Sequence, residues 1–558
     1  MRSSFFEFHV ALTGMTTARA GTRTAAHNMA NLTTEGFSRQ HTIQQASHPL
    51  STHNRTGMVG TGSEVTGIGQ TRNHHLDIRF WNERPSLGRQ SMIGSQLTLM
   101  ERRFNELQEN SFTSNFDLFF DAMQDLHTDP ADATFRNAFI QSIVSKSRNL
   151  QSQAAGLMQQ QQDVNREIGN MVTVINSIGD RVANLNRQIQ RYELHGDRAN
   201  DLRDQRAVLL DELSLLVNIN VNKVVINDRE VVMVHIDGQE FINDDIVTRL
   251  ATERRTTLTQ PTDAGGLYDI VFVTDRGRTF PFNQNSSTLS GELKGLLDIR
   301  DGNSQRHPAG HPNAGETVGD IDFRGIPYYF ARLNHMISTF ANAFNYGVDA
   351  KGEFIPGVTG HTMNTDGTPR QGGIPLFVSN ERAVDNNGNY IWEQMQDFDG
   401  NGIYAYNPVT NLYDIPVMGY RMTPINIWNF SINPDILADQ SLLRTAKDPD
   451  NGESDNSLLH GFFEIRNTRS LFREGTLNDF INSVTAELAM DLRDAQAFED
   501  SQTLVLRVVQ NQRLEIKGVD MDEEMTSLIF LQQHFNAAAQ LITVINEIYD
   551  NMINRMGA

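Results

Sequence analysis

Two sets of residues in the chain are of types that could coordinate a metal ion. Asp397–Gly402 (DFDGNG) matches the first half of a calcium loop, in which alternating carboxylate and amide oxygens bind the ion. The ninth and twelfth loop positions are Ala405 and Pro408, where a calcium loop needs an oxygen ligand and a bidentate glutamate. A glycine-rich turn is therefore the preferred interpretation of this segment over a calcium site.

Histidines form the second set, since seven of the 16 fall within the first 75 residues, including the adjacent pair His74 and His75. No H-E-x-x-H sequence occurs, and His307 and His311 lie in a Gly- and Pro-rich stretch, so a zinc hydrolase is not supported. Gly57–Gly62 (GMVGTG) lacks the Gly-Lys-Ser/Thr of a phosphate loop, and no G-x-S-x-G elbow is present. We expect no catalytic, cofactor-binding or metal-binding residues, and no enzyme activity.

Composition narrows the class of protein. The chain has 558 residues, of which 39% are hydrophobic, enough for several domains with their own cores. A net charge of −21 disfavours nucleic acid and anionic membranes as partners, and the absence of cysteine removes disulfides and thiol nucleophiles. We expect no cleaved signal peptide, because Glu7 and His9 interrupt the first apolar stretch, and no apolar run long enough to span a bilayer.

Apolar and small residues recur at spacings of three and four at both ends of the chain, which predicts two amphipathic helices. The N-terminal stripe is Phe8, Ala11, Met15, Ala18, Thr22, Ala25, Met29 and Leu32. The C-terminal stripe is Leu528, Leu531, Phe535, Ala538, Ile542, Ile545, Tyr549, Met552 and Met556. Residues 1–75 hold six arginines and three glutamates, whereas residues 519–558 hold six acids and one arginine. We expect the two ends to pair with each other and with neighbouring copies; ordinary terminal helices on a globular body are the alternative.

The segment after the first stripe, Asn28–Gln40 (NMANLTTEGFSRQ), combines helix-ending and turn residues. Asn31 can end a helix through its side chain, Gly36 allows a positive φ, and Phe37 offers an anchor. This run resembles the signature of flagellar rod, hook and hook-associated proteins. The C-terminal run Lys517–Met525 (KGVDMDEEM) is similar to the terminal signature of the same group, and is most like that of the hook-associated protein 1 family.

The interior contains a third stripe, which predicts a helical rod of roughly 50 Å. Its members are Leu157, Val164, Ile168, Met171, Ile175, Ile178, Val182, Leu185, Ile189 and Tyr192. The polar faces are rich in Gln and Asn, which favours packing within a helical bundle. Asn200–Arg206 (NDLRDQR) and Gly291–Asp301 (GELKGLLDIRD) also resemble recurrent features of the family. From the residues alone, both segments indicate helix-turn-helix packing with i,i+4 pairs.

The period changes from 3.6 to 2 at Asn218, where β-branched runs at 221–226 and 231–236 precede the turn dipeptide Asp237-Gly238. Further helices are expected at about 328–344 and 476–514. We therefore expect a multidomain α+β fold. Its units are a terminal α-helical coiled coil of residues 1–45 with 520–558, forming an inner tube; an inner helical bundle of residues 46–217 with 286–349 and 440–519; a β-rich outer insertion, 218–285; and a second β-rich or irregular insertion, 350–439.

The resemblance to the hook-associated protein 1 family implies a structural, self-assembling adapter that joins the flagellar hook to the filament. It implies as partners other copies of the chain, the hook protein, the second junction protein, flagellin and an export chaperone. It also implies export to the cell exterior through the flagellar type III channel. The expected assembly and partner-binding residues are Met15, Asn28, Met29, Asn31, Gly36, Phe37, Leu528, Phe535, Ile542, Ile545, Tyr549 and Met552. A hook or distal-rod protein, or an axial scaffold carrying an adhesin or enzyme insertion, remains an alternative.

Overall fold

Eleven α-helices and fifteen strands lie in the described part of the chain. The computed structural model describes residues 6–51, 58–105, 112–194, 196–226, 229–256, 263–274, 276–286, 288–304, 322–368, 370, 373–379, 405–407, 412–414 and 425–554. The helices are α1 (Phe6–Ala30), α2 (His74–Asn105), α3 (Phe112–Thr128), α4 (Ala133–Glu193), α5 (Asn200–Leu216), α6 (Glu292–Asp301), α7 (Ile326–Tyr346), α8 (Pro434–Ala438), α9 (Ser457–Asn467), α10 (Leu477–Lys517) and α11 (Met521–Asn554). The strands are β1 (Gln40–Ala46), β2 (Leu50–Ser51), β3 (Met58–Val59), β4 (Ser63–Gln70), β5 (Ile219–Ile226), β6 (Arg229–Ile236), β7 (Gln239–Asn243), β8 (Ile246–Val247), β9 (Arg249–Arg254), β10 (Tyr268–Val273), β11 (Thr279–Pro281), β12 (Phe377–Ser379), β13 (Ala405–Asn407), β14 (Leu412–Asp414) and β15 (Phe430–Ile432).

The expected mixture of helices and strands is confirmed, and the strand pairs are antiparallel. The largest sheet has the order β5-β6-β7-β8, and a second has the order β11-β10-β9. Asp237 and Gly238, with φ of 48° and 79°, turn the chain between β6 and β7, as the Asp-Gly dipeptide predicts. Helices α7 and α10 extend a few residues beyond the predicted bounds, and Thr476 caps α10 in a capping box.

Long helices form the frame of the molecule. Helix α1 packs along α11, α2 packs along α10, and α4 contacts α3, α5 and α6. Helix α4 has 61 residues, which corresponds to a length of about 90 Å. The predicted stripe of α4 is buried from Leu157 to Ile189 apart from the partly buried Leu185, but Tyr192 is exposed.

Amide side chains of α4 bind the backbone of the strands. The Asn176 amide donates to the carbonyl of Leu250 at 2.7 Å and its oxygen accepts from the N–H of the same residue at 2.9 Å. Asn165 accepts from the Tyr268 N–H at 2.9 Å, and Asn186 donates to the Asp244 carbonyl at 2.6 Å. The Gln- and Asn-rich faces of α4, expected to pack among helices, therefore hold residues 219–281 against the helix.

Phenylalanine rings fill the core between α3, α4 and α7. Phe340 lies 5.1 Å from Phe116 and 4.8 Å from Phe344 between ring centroids. The Asn345 amide donates to the carbonyl of Phe377 and accepts from its N–H, which places β12 over these rings. The end of α7 therefore serves core packing.

His361 is a buried titratable group of this region, with 2% of its surface exposed. Its Nε2 accepts a hydrogen bond from the Arg444 N–H at 2.9 Å, so the ring proton lies on Nδ1, 2.6 Å from the Ile374 carbonyl oxygen. Burial, with the charges of Arg444 and Arg370, lowers the pKa of His361 to about 4. A second proton on the ring would sit on Nε2 and face the Arg444 N–H, and two donors cannot form a hydrogen bond. The fold therefore requires the neutral imidazole.

We expect stability to fall between pH 7 and pH 5 because of this ring. The folded-state pKa of His361 lies below the unfolded value, so its neutral ring stabilises the fold above about pH 6.5, and this is lost as pH falls toward 4. The loss between pH 7 and pH 5 should be about 2 kcal/mol. Urea unfolding at both pH values measures it. His361→Gln should flatten the slope, whereas the exposed His460→Gln should not; equal slopes in all three proteins would contradict the argument.

Candidate assembly site

The two terminal helices lie side by side and run antiparallel. A Cβ atom built on Gly14 would lie 3.9 Å from the Cβ of Ala538, and one on Gly21 would lie 2.8 Å from Leu531. A step of seven residues toward the C-terminus of α1 therefore corresponds to a step of seven residues toward the N-terminus of α11, as in an antiparallel pair. The close approach depends on small residues, since Ala11, Ala18 and Ala25 of the predicted stripe are buried.

The expected site residues on the helices divide into buried and exposed groups. Met15 and Met29 on α1 are partly buried, as are Leu528, Phe535, Ile542 and Tyr549 on α11, while Ile545 is buried. Met552 is 58% exposed. Leu32 is also exposed, since α1 ends at Ala30.

A second apolar stripe runs along the outside of α11, and the sequence analysis missed it. Its residues, called here the outer stripe, again follow spacings of three and four: Phe530, His534, Ala537, Leu541, Val544, Ile548 and Met552. Phe530 and Ile548 are 59% and 46% exposed, and the rings of Phe530 and His534 pack at 4.4 Å. A contiguous exposed stripe of this kind marks an interaction surface.

The apolar content of the last helices is higher than we expected. A stretch of 18 residues within Leu477–Met552 reaches a mean hydropathy of 1.2, which is long and apolar enough to cross a membrane by length and composition alone. The expectation that no such stretch exists was therefore wrong. Its hydropathy is weak evidence for a membrane span, because polar amides such as Gln532, Gln533 and Gln540 interrupt α11.

Residues 28–40, the N-terminal motif, connect the α1–α11 pair to the rest of the chain. We call this connection the joint and the rest of the chain the body. Asn28 donates to the Gln40 carbonyl at 2.8 Å and accepts from the Gln40 N–H at 3.0 Å. Asn31 donates to the His27 carbonyl at the end of α1, and the Phe37 ring packs edge-on against His27 at 5.6 Å. Of the expected site residues, these belong to the joint and not to the contact between α1 and α11.

Both the backbone conformation and the neighbouring side chain require glycine at position 36. Its φ is +78°, a conformation that side chains rarely adopt, and a Cβ atom would collide with Val208 on α5. Glycine at this position therefore lets the turn after α1 rest on the body.

Residues 38–40 bind α5 and α11 in alternation. The N–H and Oγ of Ser38 both donate to Asp204 at 2.8 Å, and the Gln40 amide donates to Asp201 at 2.6 Å, both on α5. Arg39 points the other way, and its guanidinium donates to Glu524 at 2.7 Å and to Glu523 at 2.8 Å on α11. The predicted attraction between the basic N-terminal and acidic C-terminal segments thus includes these ion pairs.

A chain of buried and partly buried charges connects the joint to α2 and α10. Arg72 donates to Asp77 at 2.6 Å and to Asp204 at 3.2 Å. Arg513 donates to Asp77 at 3.0 Å and to Asp211 at 3.0 Å. The contact between Asp77 and Arg513 joins residues 436 positions apart in sequence. We call the five residues the ionic chain.

The pKa values in the ionic chain follow from burial and pairing. Burial alone would raise the pKa of Asp77, but the hydrogen bond and charge of Arg72, with Arg513, hold it below its usual range. Burial raises the pKa of Asp204 although Ser38 and Arg72 oppose the shift. Burial would lower the pKa of Arg72, yet its bond to Asp77 raises it. Pairing therefore opposes the effect of burial on the pKa values of Asp77, Asp204 and Arg72.

The expectation of i,i+4 pairs within Asn200–Arg206 was wrong. Its polar side chains reach distant segments: Asn200 donates to the Ile68 carbonyl at 2.9 Å, Arg203 donates to Glu193 and Glu230, and Arg206 donates to Asn186. In Gly291–Asp301, Lys294 and Asp298 do form an i,i+4 pair at 2.9 Å. The first segment is a docking point for the N-terminal motif and the sheet.

The residues considered for metal chemistry give no site in the described part of the chain. No group of three or more histidine, aspartate or glutamate residues is arranged there to hold an ion. Asp397–Gly402, His307 and His311 lie outside the described residues. His74 is partly buried 6.2 Å from Trp81, where burial lowers its pKa.

Comparisons with known proteins agree with the resemblance of the terminal motifs. Residues 97–362 match the flagellar hook-associated protein FlgK helical domain, and residues 510–556 match the C-terminal domain of flagellar basal body rod FlgEFG proteins. The chain is 22% identical over 589 residues to flagellar hook-associated protein 1 of Bacillus subtilis (strain 168). This alignment covers 100% of this chain and 99% of the relative. It is 25% identical over 584 residues to the protein of the same name from Escherichia coli (strain K12), covering 98% of each.

A solved structure was also found, that of the flagellar hook junction protein FlgK from Burkholderia pseudomallei. It matches with a TM-score of 0.47 at 15% identity, covering 79% of this chain and 99% of that chain. The resemblance to hook-associated protein 1, expected from the terminal motifs, is confirmed by the matched helical domain and by the end-to-end similarity to the relatives.

Gly36→Ala should destabilise the fold by about 2–4 kcal/mol, because it adds a collision with Val208 to the strain of a positive φ. Val208 is β-branched and has little rotamer freedom in a helix. Gly196→Ala is the matched control, since its φ is +87° but no atom lies within 4 Å of the added Cβ. It should cost about 1 kcal/mol. Urea unfolding compares them, and equal losses would contradict the role of Gly36 as a contact point.

Arg513→Ala should destabilise the fold by about 3–5 kcal/mol, because it leaves the buried Asp77 without one of its two cations. Arg507→Ala, on the exposed side of the same helix, should change the free energy of unfolding by less than about 0.5 kcal/mol. Chemical denaturation at pH 7 measures both. A loss for Arg513→Ala no larger than for Arg507→Ala would show that the ionic chain does not hold the fold.

Proposed function

We infer that this chain, a structural flagellar protein of the hook-associated protein 1 type and not an enzyme, acts as a self-assembling adapter between hook and filament. The observation that carries the mechanism is the outer stripe of α11. One side of α11 is packed against α1, while the outer stripe remains exposed over 23 residues from Phe530 to Met552. Helices with two apolar stripes pack against two neighbours, so the outer stripe is suited to a second copy.

Repeated contacts of this kind build a tube. The outer stripe faces away from α1 of the same copy, so it is free to contact another copy. We propose that this contact is heterologous, meaning that it joins two different surfaces of the two copies. Such contacts generate helical lattices when the rotation between copies does not close a small ring. We propose that α1 and α11 form the coiled coil of an inner tube, with the helices around α4 outside it.

The partners proposed from the resemblance are the hook protein, the second junction protein and flagellin. Export in an unfolded state fits a chain without cysteine, since no disulfide has to form afterwards. A chaperone would then cover the apolar side of α11 before export, binding Phe535, Ile542 and Tyr549 as a helix in a groove. After folding, the same side chains are partly buried.

We expect Leu541→Glu combined with Ile548→Glu to abolish binding of the purified chain to isolated hook ends. These substitutions place two carboxylates on the outer stripe, where a neighbouring copy would have to bury them. Fluorescently labelled chain added to hooks from the organism that encodes it measures the binding. A chain truncated after Glu524 provides the reference for complete loss.

The matched control is Asn536→Glu combined with Thr543→Glu. These positions have the same spacing of seven and lie on the exposed polar side of α11. The control should bind within about twofold of the unaltered chain. Circular dichroism should show equal helix content in all the full-length proteins. Normal binding by the Leu541 and Ile548 variant would contradict assembly through the outer stripe.

A further inference from the structure

Methionine is the only residue type in this chain that contains sulfur, since 20 methionines and no cysteine occur. A peroxide oxidises the methionine thioether to a sulfoxide, which turns a flexible apolar side chain into a polar one. Because the oxidant has to reach the sulfur atom, exposed methionines react before buried ones. The exposure of each methionine therefore indicates where the chain is open to this chemistry.

The exposed methionines are concentrated on α11. Of the methionines in the described part of the chain, five are exposed, and three of them lie on this helix of 34 residues. Met521, Met525 and Met552 are 52%, 46% and 58% exposed. The other two are Met58 on β3 and Met490 on α10. The helix that we propose to bind a second copy thus also carries most of the accessible thioethers.

Met552 differs from the other exposed methionines because it belongs to the outer stripe. It follows Ile548 by four residues and ends the stripe. Met521 and Met525 precede Phe530, where the stripe begins. A sulfoxide at position 552 would place a polar oxygen on a surface that a second copy has to cover, and burial of a polar group without a hydrogen bond is costly.

We propose that Met552 is an oxidation site at which a peroxide prevents a free copy from joining the assembly. The Met552 sulfur takes one oxygen atom from hydrogen peroxide: an S–O bond forms, the O–O bond breaks, two electrons pass from sulfur to the peroxide, and water is released. In an assembled copy the neighbour covers Met552, so the peroxide acts on copies that have not yet been added. This proposal rests on the proposed function and adds a chemical control of the same surface.

The test uses the full chain, treated with hydrogen peroxide, freed of it, and added to untreated isolated hook ends. Peptide mass spectrometry should show the sulfoxide at Met552 before it appears at Met100 and Met336, which are 0% and 1% exposed. Binding should become at least about tenfold weaker, because each added copy has to bury the sulfoxide. Methionine sulfoxide reductases, one for each epimer, should restore binding.

Met552→Leu is the resistant variant, because leucine keeps the volume and apolar character of the side chain. It should bind within about twofold of the natural chain both before and after peroxide treatment. Met490→Leu is the matched control, since Met490 is 64% exposed but lies on α10, and this variant should lose binding on treatment as the natural chain does.

Two results would overturn the oxidation site while leaving assembly intact. One is a treated natural chain that carries the Met552 sulfoxide and binds as strongly as the untreated chain. The other is an equal loss of binding by treated Met552→Leu. Failure of the untreated natural chain to bind hook ends would instead overturn the proposed function.

Discussion

The arrangement of the molecule depends on the ionic chain Asp204–Arg72–Asp77–Arg513–Asp211. Each arginine bridges two carboxylates that come from different helices or segments. Buried ion pairs add little net stability over an apolar core, but a missing partner leaves a charge that the interior cannot solvate. The ionic chain therefore selects the one arrangement in which α2, α5, α10 and the segment before α2 meet.

This constraint brings the two ends of the chain together. Arg72 lies just after β4, so fixing it also fixes the hairpin of β1 and β4 on which α1 packs. Arg513 lies in the last turns of α10, four residues before Lys517, where that helix ends and the chain continues to α11. The alternating contacts of residues 38–40 then orient α1 and α11 relative to the body. The surfaces available for assembly follow from that orientation, since α11 turns one apolar stripe toward α1 and the other outward.

Local pattern predicted much of this structure. The spacing of three and four marked α1, α4 and α11, and the Asp-Gly dipeptide marked the turn at Asp237. The ionic chain could not be predicted, because a sequence shows that Asp77 and Arg513 are charged but not that they meet. The outer stripe was missed for a different reason: its residues are offset by one position from the stripe that faces α1, so the two overlap in the sequence. The prediction for Asn200–Arg206 failed because a run of polar residues on a helix does not show where their partners lie, and here the partners are on other elements.

Assembly should cover the outer stripe of α11. Hydrogen exchange of the full chain, free and bound to isolated hook ends, tests this most directly. Amides of α11 should exchange at least about tenfold more slowly after binding, because burial of the outer stripe opposes local opening of the helix. Amides in the middle of α4 should be unchanged, since that helix is already buried in the free chain. Unchanged exchange in α11, on hooks shown to carry the bound chain, would contradict the account.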